Sequence, residues 1–303
     1  MNHYNNRLSL NVDELIRKDE ERLRDLQHQR ARLENSLITE TKSKISTPSL
    51  EAFLELGSRY ARFKLFEKKF FYPKPERPEL TDEMLLVIKE ASRPEPSSQS
   101  LVEIDGVQIL RKDMRTLTNS NWLNDEIINA YFYLIVQRGK EPKRKRVYAF
   151  NTFFYPKLRD MGYSSVKRWT RKVDVFSHDF LIVPVHLGNH WCLALVNFIN
   201  KTIGYYDSLG GSSKECCDTL LNYLRYESND KRKQDMDDEN WRLVDCYREA
   251  NIPRQTNGSD CGVFACQYAE HLTRQAKLTF SQEHMPYLRQ KMIYELLNKK
   301  ILE

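Results

Sequence analysis

Between residues 180 and 207 the chain passes through three apolar or alternating runs, FLIVPVHL, HWCLALVN and TIGYYD, punctuated by Gly188-Asn189 and Asn200-Lys201. Runs of this length, rich in Val, Ile, Tyr and Phe and bounded by turn residues, predict successive β-strands. On either side the spacing becomes helical. NWLNDEIINAYFYLIVQ puts Leu123, Ile127, Tyr131 and Leu134 on one face, the stripe of a packed helix. TDEMLLVIKEA opens on Thr81 with acids in its first turn, as a capped helix does. Further helical patterns cover 212–227, 260 to about 275, and 283 to the end. LVEIDGVQIL predicts a hairpin about Asp105-Gly106. Strands in the middle with helices before and after predict an α+β domain. No internal repeat interrupts that order.

The first part of the chain follows a different pattern. Residues 11–37 are densely charged, with Ile16, Leu23, Leu26, Leu33 and Leu37 roughly on one helical stripe that Asp19 and Arg30 interrupt. This predicts a short amphipathic helix or weak coiled coil. A second apolar cluster, FLELGSRYARFKLFEKKFFY, runs into PKPERP, whose prolines stop regular structure. The boundary is placed near residue 75: a charged extension over 1–75, partly helical or disordered, then one domain over 76–303. Within that domain SRPEPSSQS is a connector.

Composition narrows the classes. A chain of 303 residues has room for one large domain plus an extension. Lys+Arg 48 against Asp+Glu 42 gives a net charge of +6, mixed along the chain, which is not the footprint of a nucleic-acid binder. There is neither a secretory apolar core at the amino terminus nor a run approaching the roughly 18 apolar residues of a membrane span, so a soluble intracellular protein is expected. Its six cysteines are then expected to be reduced thiols. No C-x-x-C pair is present and Cys216 and Cys217 are adjacent, so no metal is expected. The basic run PKRKR, residues 142–146, lies between a helix and a strand. It is read as a solvated loop, with a nuclear import signal as the alternative.

The chemistry gathers around PRQTNGSDCGVFACQY, residues 253–268. A cysteine attacks a carbonyl as thiolate, and an isolated thiol with pKa ~8.5 is mostly protonated at neutral pH. A helix capped by Ser259 or Asp260 would set its dipole on Cys261 in the first turn. An imidazole would take the proton. Of the seven histidines, His186 and His190 lie where a turn meets a strand, and Asp207 ends the next strand. Asp207 can therefore orient His190, as the acid of a nucleophile triad orients its base. Gln255, just upstream of the Asn257-Gly258 turn, can fold its amide back over the thiol and join the Cys261 backbone N–H as an oxyanion donor.

With those residues in place the chain resembles the Ulp/SENP-type (sentrin-specific) cysteine proteases of the ubiquitin-like modifier SUMO. The matching segments are WLNDEIINAYFYLI, FNTFFYPKL, VKRWTRKVDVF, VHLGNHWCLALVN, YYDSLGG and PRQTNGSDCGVFACQYAEHL, in order from about residue 80 to 303. The resemblance implies a papain-like α+β fold with a central mixed sheet flanked by helices. It implies His190 as general base, Asp207 as its orienting acid, Gln255 as oxyanion donor and Cys261 as nucleophile, with no cofactor. It also implies that Trp122 and Trp169 close a narrow tunnel on the substrate's Gly-Gly tail, with Trp191 near the same channel and Asp125 in contact with the modifier's body. Flat indoles above and below an extended chain admit only glycine. The implied partners are SUMO precursors and SUMO-conjugated proteins, with no nucleic acid and no membrane span. A monomeric enzyme is implied, resident in the nucleus, its envelope or its pores, with some in the cytoplasm. An acyltransferase on the same fold and an inactive modifier-binding module are the competing readings.

Overall fold

The computed structural model describes residues 77–250 and 252–303, together with the helical positions Asp25, His28, Gln29 and Arg32. The apolar stripe of residues 11–37 and the cluster of residues 53–72 lie outside the described residues. The chain divides into two units, Met1–Arg77 and Pro78–Glu303, and the second carries the elements that follow.

It opens with helix α1 (Asp82–Ala91), where the Thr81 hydroxyl accepts from the Met84 N–H at 3.3 Å, the cap that the sequence predicts. Strands β1 (Ser100–Ile104) and β2 (Val107–Leu110) pair antiparallel. Asp105 and Gly106 between them both have positive φ, 52° and 76°, as a type I′ turn requires. A short helix α2 (Arg111–Met114) leads to α3 (Asp125–Arg138), capped by Asn124. The helix starts at Asp125, so Trp122 stands before it in extended chain.

The remaining strands form one sheet in the order β3 (Val147–Ala149), β4 (Phe180–His186), β5 (Trp191–Asn197), β6 (Thr202–Tyr206), β7 (Arg242–Asp245). The central three are antiparallel, whereas β3 joins β4 and β7 joins β6 in parallel, so the sheet is mixed as expected. Every residue of β4 and β5 but the last is buried, which explains runs too apolar to alternate. The two faces of β5 feed two cores. Trp191, Leu193 and Leu195 enter one with α3, α8 (Cys261–Thr273) and α9 (Met285–Asn298). Cys192, Ala194 and Val196 enter the other with α4 (Phe154–Met161) and α6 (Lys214–Glu227). Two further single-turn helices are α5 (Tyr163–Val166) and α7 (Cys246–Glu249). α8 lies in the middle of its layer: all but Leu272 of its residues are buried, so it is covered all round rather than along one stripe.

Candidate active site

Cys261 is the first residue of α8 and is almost wholly buried. Its neighbour Gly262 has no room for a side chain, since a Cβ there would meet the Leu123 side chain at 2.9 Å. This close approach sets α8 against the segment that carries Trp122. The expected side-chain cap is not made. The Asp260 carboxylate turns away from the helix and accepts from Arg289 of α9 at 2.6 and 2.9 Å, from Asn257 at 2.7 Å and from Gln282 at 2.7 Å. A buried guanidinium outcompetes the helix's own N–H groups for that carboxylate because a charged donor pair is stronger than a neutral one.

Arg289 does more than pair. It also donates to the carbonyls of Ser259, Asn121 and Thr116, and Trp122 Nε1 donates to Gly258 O at 2.9 Å. The loop before Cys261 and the loop before Trp122 are thus tied twice. Arg289→Met leaves Asp260 buried without its cation, so thermal or urea unfolding is expected to show a loss of about 3–5 kcal/mol. A change under 1 kcal/mol would mean that water reaches the carboxylate.

His190 ends the β4–β5 turn, where Gly188 takes φ +86° and Leu187 N–H donates to His190 O. Leu193 pairs with Tyr206, and continuing that register brings Asp207 beside Cys192 and within reach of His190. His190 Nε2 and Asp207 Oδ1 are 2.7 Å apart. The Cys192 and Cys261 thiols are further neighbours of the ring, and both favour its charged form. The carboxylate is fixed from behind by the N–H groups of Leu209 at 2.8 Å and Gly211 at 2.7 Å. A Cβ on Gly211 would meet Asp207 Oδ2 at 2.7 Å, so glycine lets the loop fold onto the acid.

The electrostatics follow from that packing. Burial alone would raise the Asp207 pKa, but His190 and the two backbone donors outweigh it and hold it at about 2. Burial would lower the His190 pKa; its bond to Asp207 and the neighbouring Cys192 and Cys261 thiols prevail and raise it above the ordinary imidazole range. A charged imidazolium beside Cys261 is what a thiolate nucleophile requires.

Gln255 is buried and held by neighbours of the acid. Ser208 Oγ donates to its Oε1 at 2.6 Å, and its Nε2 donates to Asn257 O at 2.6 Å. Its second Nε2 hydrogen makes no bond among the described residues, and residues 255–260 lead directly into α8.

The four tryptophan and acid positions divide. Trp122 is 55% exposed, while Trp191 is buried, donates from Nε1 to Leu123 O at 2.9 Å and stacks on His186 at 4.2 Å. Both therefore belong to the segments around Cys261 and His190. Trp169 lies elsewhere: it is half-buried and packs on Phe154, against the core on the other face of the sheet from Trp191. Asp125 begins α3 and borders a cavity of about 250 Å³ together with Val107 and Phe153, two apolar residues that are 52% and 61% exposed.

Three residues near the site have no counterpart in the sequence reading: Arg289, Ser208 and Cys192. Cys192 was legible in principle, since in a strand it shares a face with His190 two residues before it. Burial raises its thiol pKa. The ligand atoms of His190, Cys192 and Asp207 lie within 4.8 Å of one another. A zinc ion with bonds of about 2.0–2.2 Å holds its ligands more than about 3 Å apart, and the 2.7 Å His190–Asp207 contact leaves no space for one between them.

A thiol at a helix start, facing an imidazole and carboxylate on adjacent strand ends, on an α+β scaffold with a mixed sheet, defines the papain-like class. Residues 121–301 match the Ulp1 protease family, C-terminal catalytic domain. The chain is 44% identical over 237 residues to a sentrin-specific protease of Caenorhabditis elegans, covering 76% of this chain and 34% of that one. It is 40% identical over 224 residues to human sentrin-specific protease 2, covering 74% and 38%. Among solved structures it resembles the C-terminal Ulp1 protease domain in complex with Smt3, the yeast ortholog of SUMO. That match has TM-score 0.62 and 28% identity, over 73% of this chain and 97% of that one. The Chaetomium thermophilum Ulp1-like SUMO protease catalytic domain matches with TM-score 0.65 and 25% identity, over 75% and 92%. The chain belongs to the Ulp1 protease family. It spans about a third of the length of the curated relatives it matches.

Proposed function

We propose that the chain is a SUMO-specific thiol protease that matures SUMO precursors after Gly-Gly and releases SUMO from lysine side chains. The His190–Asp207 pair set against Cys261 at the start of α8 carries this reading, and the family's solved complex with a SUMO ortholog supports the substrate. His190 takes the Cys261 proton, and the thiolate attacks the carbonyl carbon of the last glycine. The oxyanion is held by the free Gln255 N–H and the Cys261 backbone N–H. His190 then returns the proton to the leaving amine, and water hydrolyses the thioester with His190 as base. Asp207 keeps the ring oriented and its cationic form stable.

The tail enters between Trp122 and Trp191. Asp125 with Val107 and Phe153 forms an acidic and apolar surface for the modifier's body. The test is cleavage of SUMO, NEDD8 and ubiquitin precursor fusions: SUMO alone should be cut, and equal cleavage of ubiquitin would overturn the substrate.

The tunnel makes a separate prediction. Two indoles that fit an extended Gly-Gly leave no room for a methyl, and overpacking of about 1–3 kcal/mol is roughly 10- to 100-fold in rate. Trp122→Ala should lower cleavage of Gly-Gly substrate and narrow the gap to Gly-Ala substrate. Trp169→Ala should instead cost about 2–4 kcal/mol of stability and leave that gap unchanged. Competition of the two substrates under single-turnover conditions reads both, and a narrowed gap in the Trp169 variant would restore it to the tunnel.

A further inference from the structure

The basic run 142–146 has no part in the chemistry above, but the structure gives it a place. Among the described residues β3, which follows it, is an edge strand: β4 pairs with it on one side and it stands first in the sheet. Phe180 N–H donates to Arg146 O, and Phe150 N–H donates to Ile182 O. Residues 146, 148 and 150 therefore turn their backbone groups toward β4, and the N–H and C=O of Val147 and Ala149 point outward. Such an edge is ordinarily covered or blunted, because it is a template for another strand.

Here the outward edge borders a cavity of about 750 Å³, with Phe132, Tyr133 and Val136 of α3 across from it. Lys140, Arg144 and Arg146 line its rim. Arg144 is paired with Glu141 and Glu303, and Arg146 with Asp179. Lys140 meets only the neutral Gln137 amide, at 3.1 Å, and Lys143 and Lys145 lie in the same run. Basic side chains thus exceed the acids of the run, where Glu141 stands alone against Lys140, Lys143, Arg144, Lys145 and Arg146.

We propose that this groove receives an extended segment of a partner protein, apolar at its centre and acidic at its ends, which adds to β3 as a further strand. The outward backbone groups supply main-chain hydrogen bonds and the half-exposed Tyr133 and Val136 take alternate side chains, as in strand addition generally. The surplus of lysine selects acidic flanks. A nucleic acid uses the charge alone, having no backbone to match a strand edge.

The test is fluorescence anisotropy of the full chain with a fluorescein-labelled peptide carrying a Val-Ile-Val centre and Asp/Glu flanks. Its controls are the same centre with Lys flanks and a labelled single-stranded oligonucleotide. The acidic peptide should bind, and Lys143→Glu with Lys145→Glu should weaken it about tenfold. Ala149→Pro removes an outward N–H at an edge position where proline is tolerated, and should weaken binding about as much with the melting temperature retained. Val147→Pro repeats the measurement should that variant fail to fold. Binding lost on charge reversal but untouched by either proline means a plain electrostatic patch and overturns strand addition. Equal binding of the Lys-flanked peptide, tighter binding of the oligonucleotide, or no binding of the acidic peptide to the full chain overturns the proposal outright.

Discussion

Cys261→Ser is expected to reduce turnover of a SUMO precursor by at least ~10⁴ while the protein folds and binds the modifier as before. The hydroxyl has nearly the thiol's shape, so the packing of Gly262 on Leu123 and the Arg289 ties are undisturbed. Ionisation is what changes: a neighbouring imidazolium can sustain a thiolate but not an alkoxide at neutral pH. Cys266 is the control. It lies on the same helix, is fully buried, and burial raises its thiol pKa, so Cys266→Ala should leave most of the activity. Retained turnover in the serine variant would remove Cys261 from the nucleophile's role.

The second large effect is that of Asp207→Asn, expected to slow turnover by roughly 10 to 10³ with folding retained. An amide accepts the backbone N–H groups of Leu209 and Gly211 through one oxygen only, and it neither fixes the ring tautomer of His190 nor stabilises its cation. Cysteine itself ionises more readily than serine, so the loss is smaller than the ~10⁴ of a serine-protease triad. A pH signature accompanies it. The Asp207 pKa of about 2 lies below its unfolded value, so the carboxylate stabilises the fold above the unfolded pKa near 3.9 and that contribution fades as pH falls through about 2. The asparagine variant should lack that acid-side dependence in unfolding measurements between about pH 5 and 2. An unchanged acid limb and wild-type rates would assign the orientation of His190 to another carboxylate.

The candidate catalytic residues stand out in the sequence because their proposed chemistry is local. A cysteine after Asn-Gly-Ser-Asp, a histidine where a turn meets a strand and an acid at the next strand's end are each set by sequence neighbours, and β5 and β6 bring the last two together by ordinary antiparallel pairing. The long apolar strands and capped helices were readable for the same reason. What escaped was decided by distant parts of the chain. Arg289 sits in a mixed helix where a cation normally reads as a solvated face, and only folding shows it buried against Asp260. That pairing is also why the expected cap failed. Trp169 in KRWT carries no local sign of which side of the sheet it will face, whereas Trp191 directly follows His190. β3 and β7 are short edge strands among charged residues, with too few positions to establish a period of two.

The most direct measurement is intact-mass analysis of the chain after incubation with carboxy-terminal vinyl sulfone probes of SUMO, NEDD8 and ubiquitin, followed by peptide mapping of any adduct. The account predicts one stoichiometric adduct with the SUMO probe, located on Cys261 and absent from Cys261→Ser, and little or none with the other two. An adduct on a different cysteine, or equal labelling by the ubiquitin probe, would contradict it.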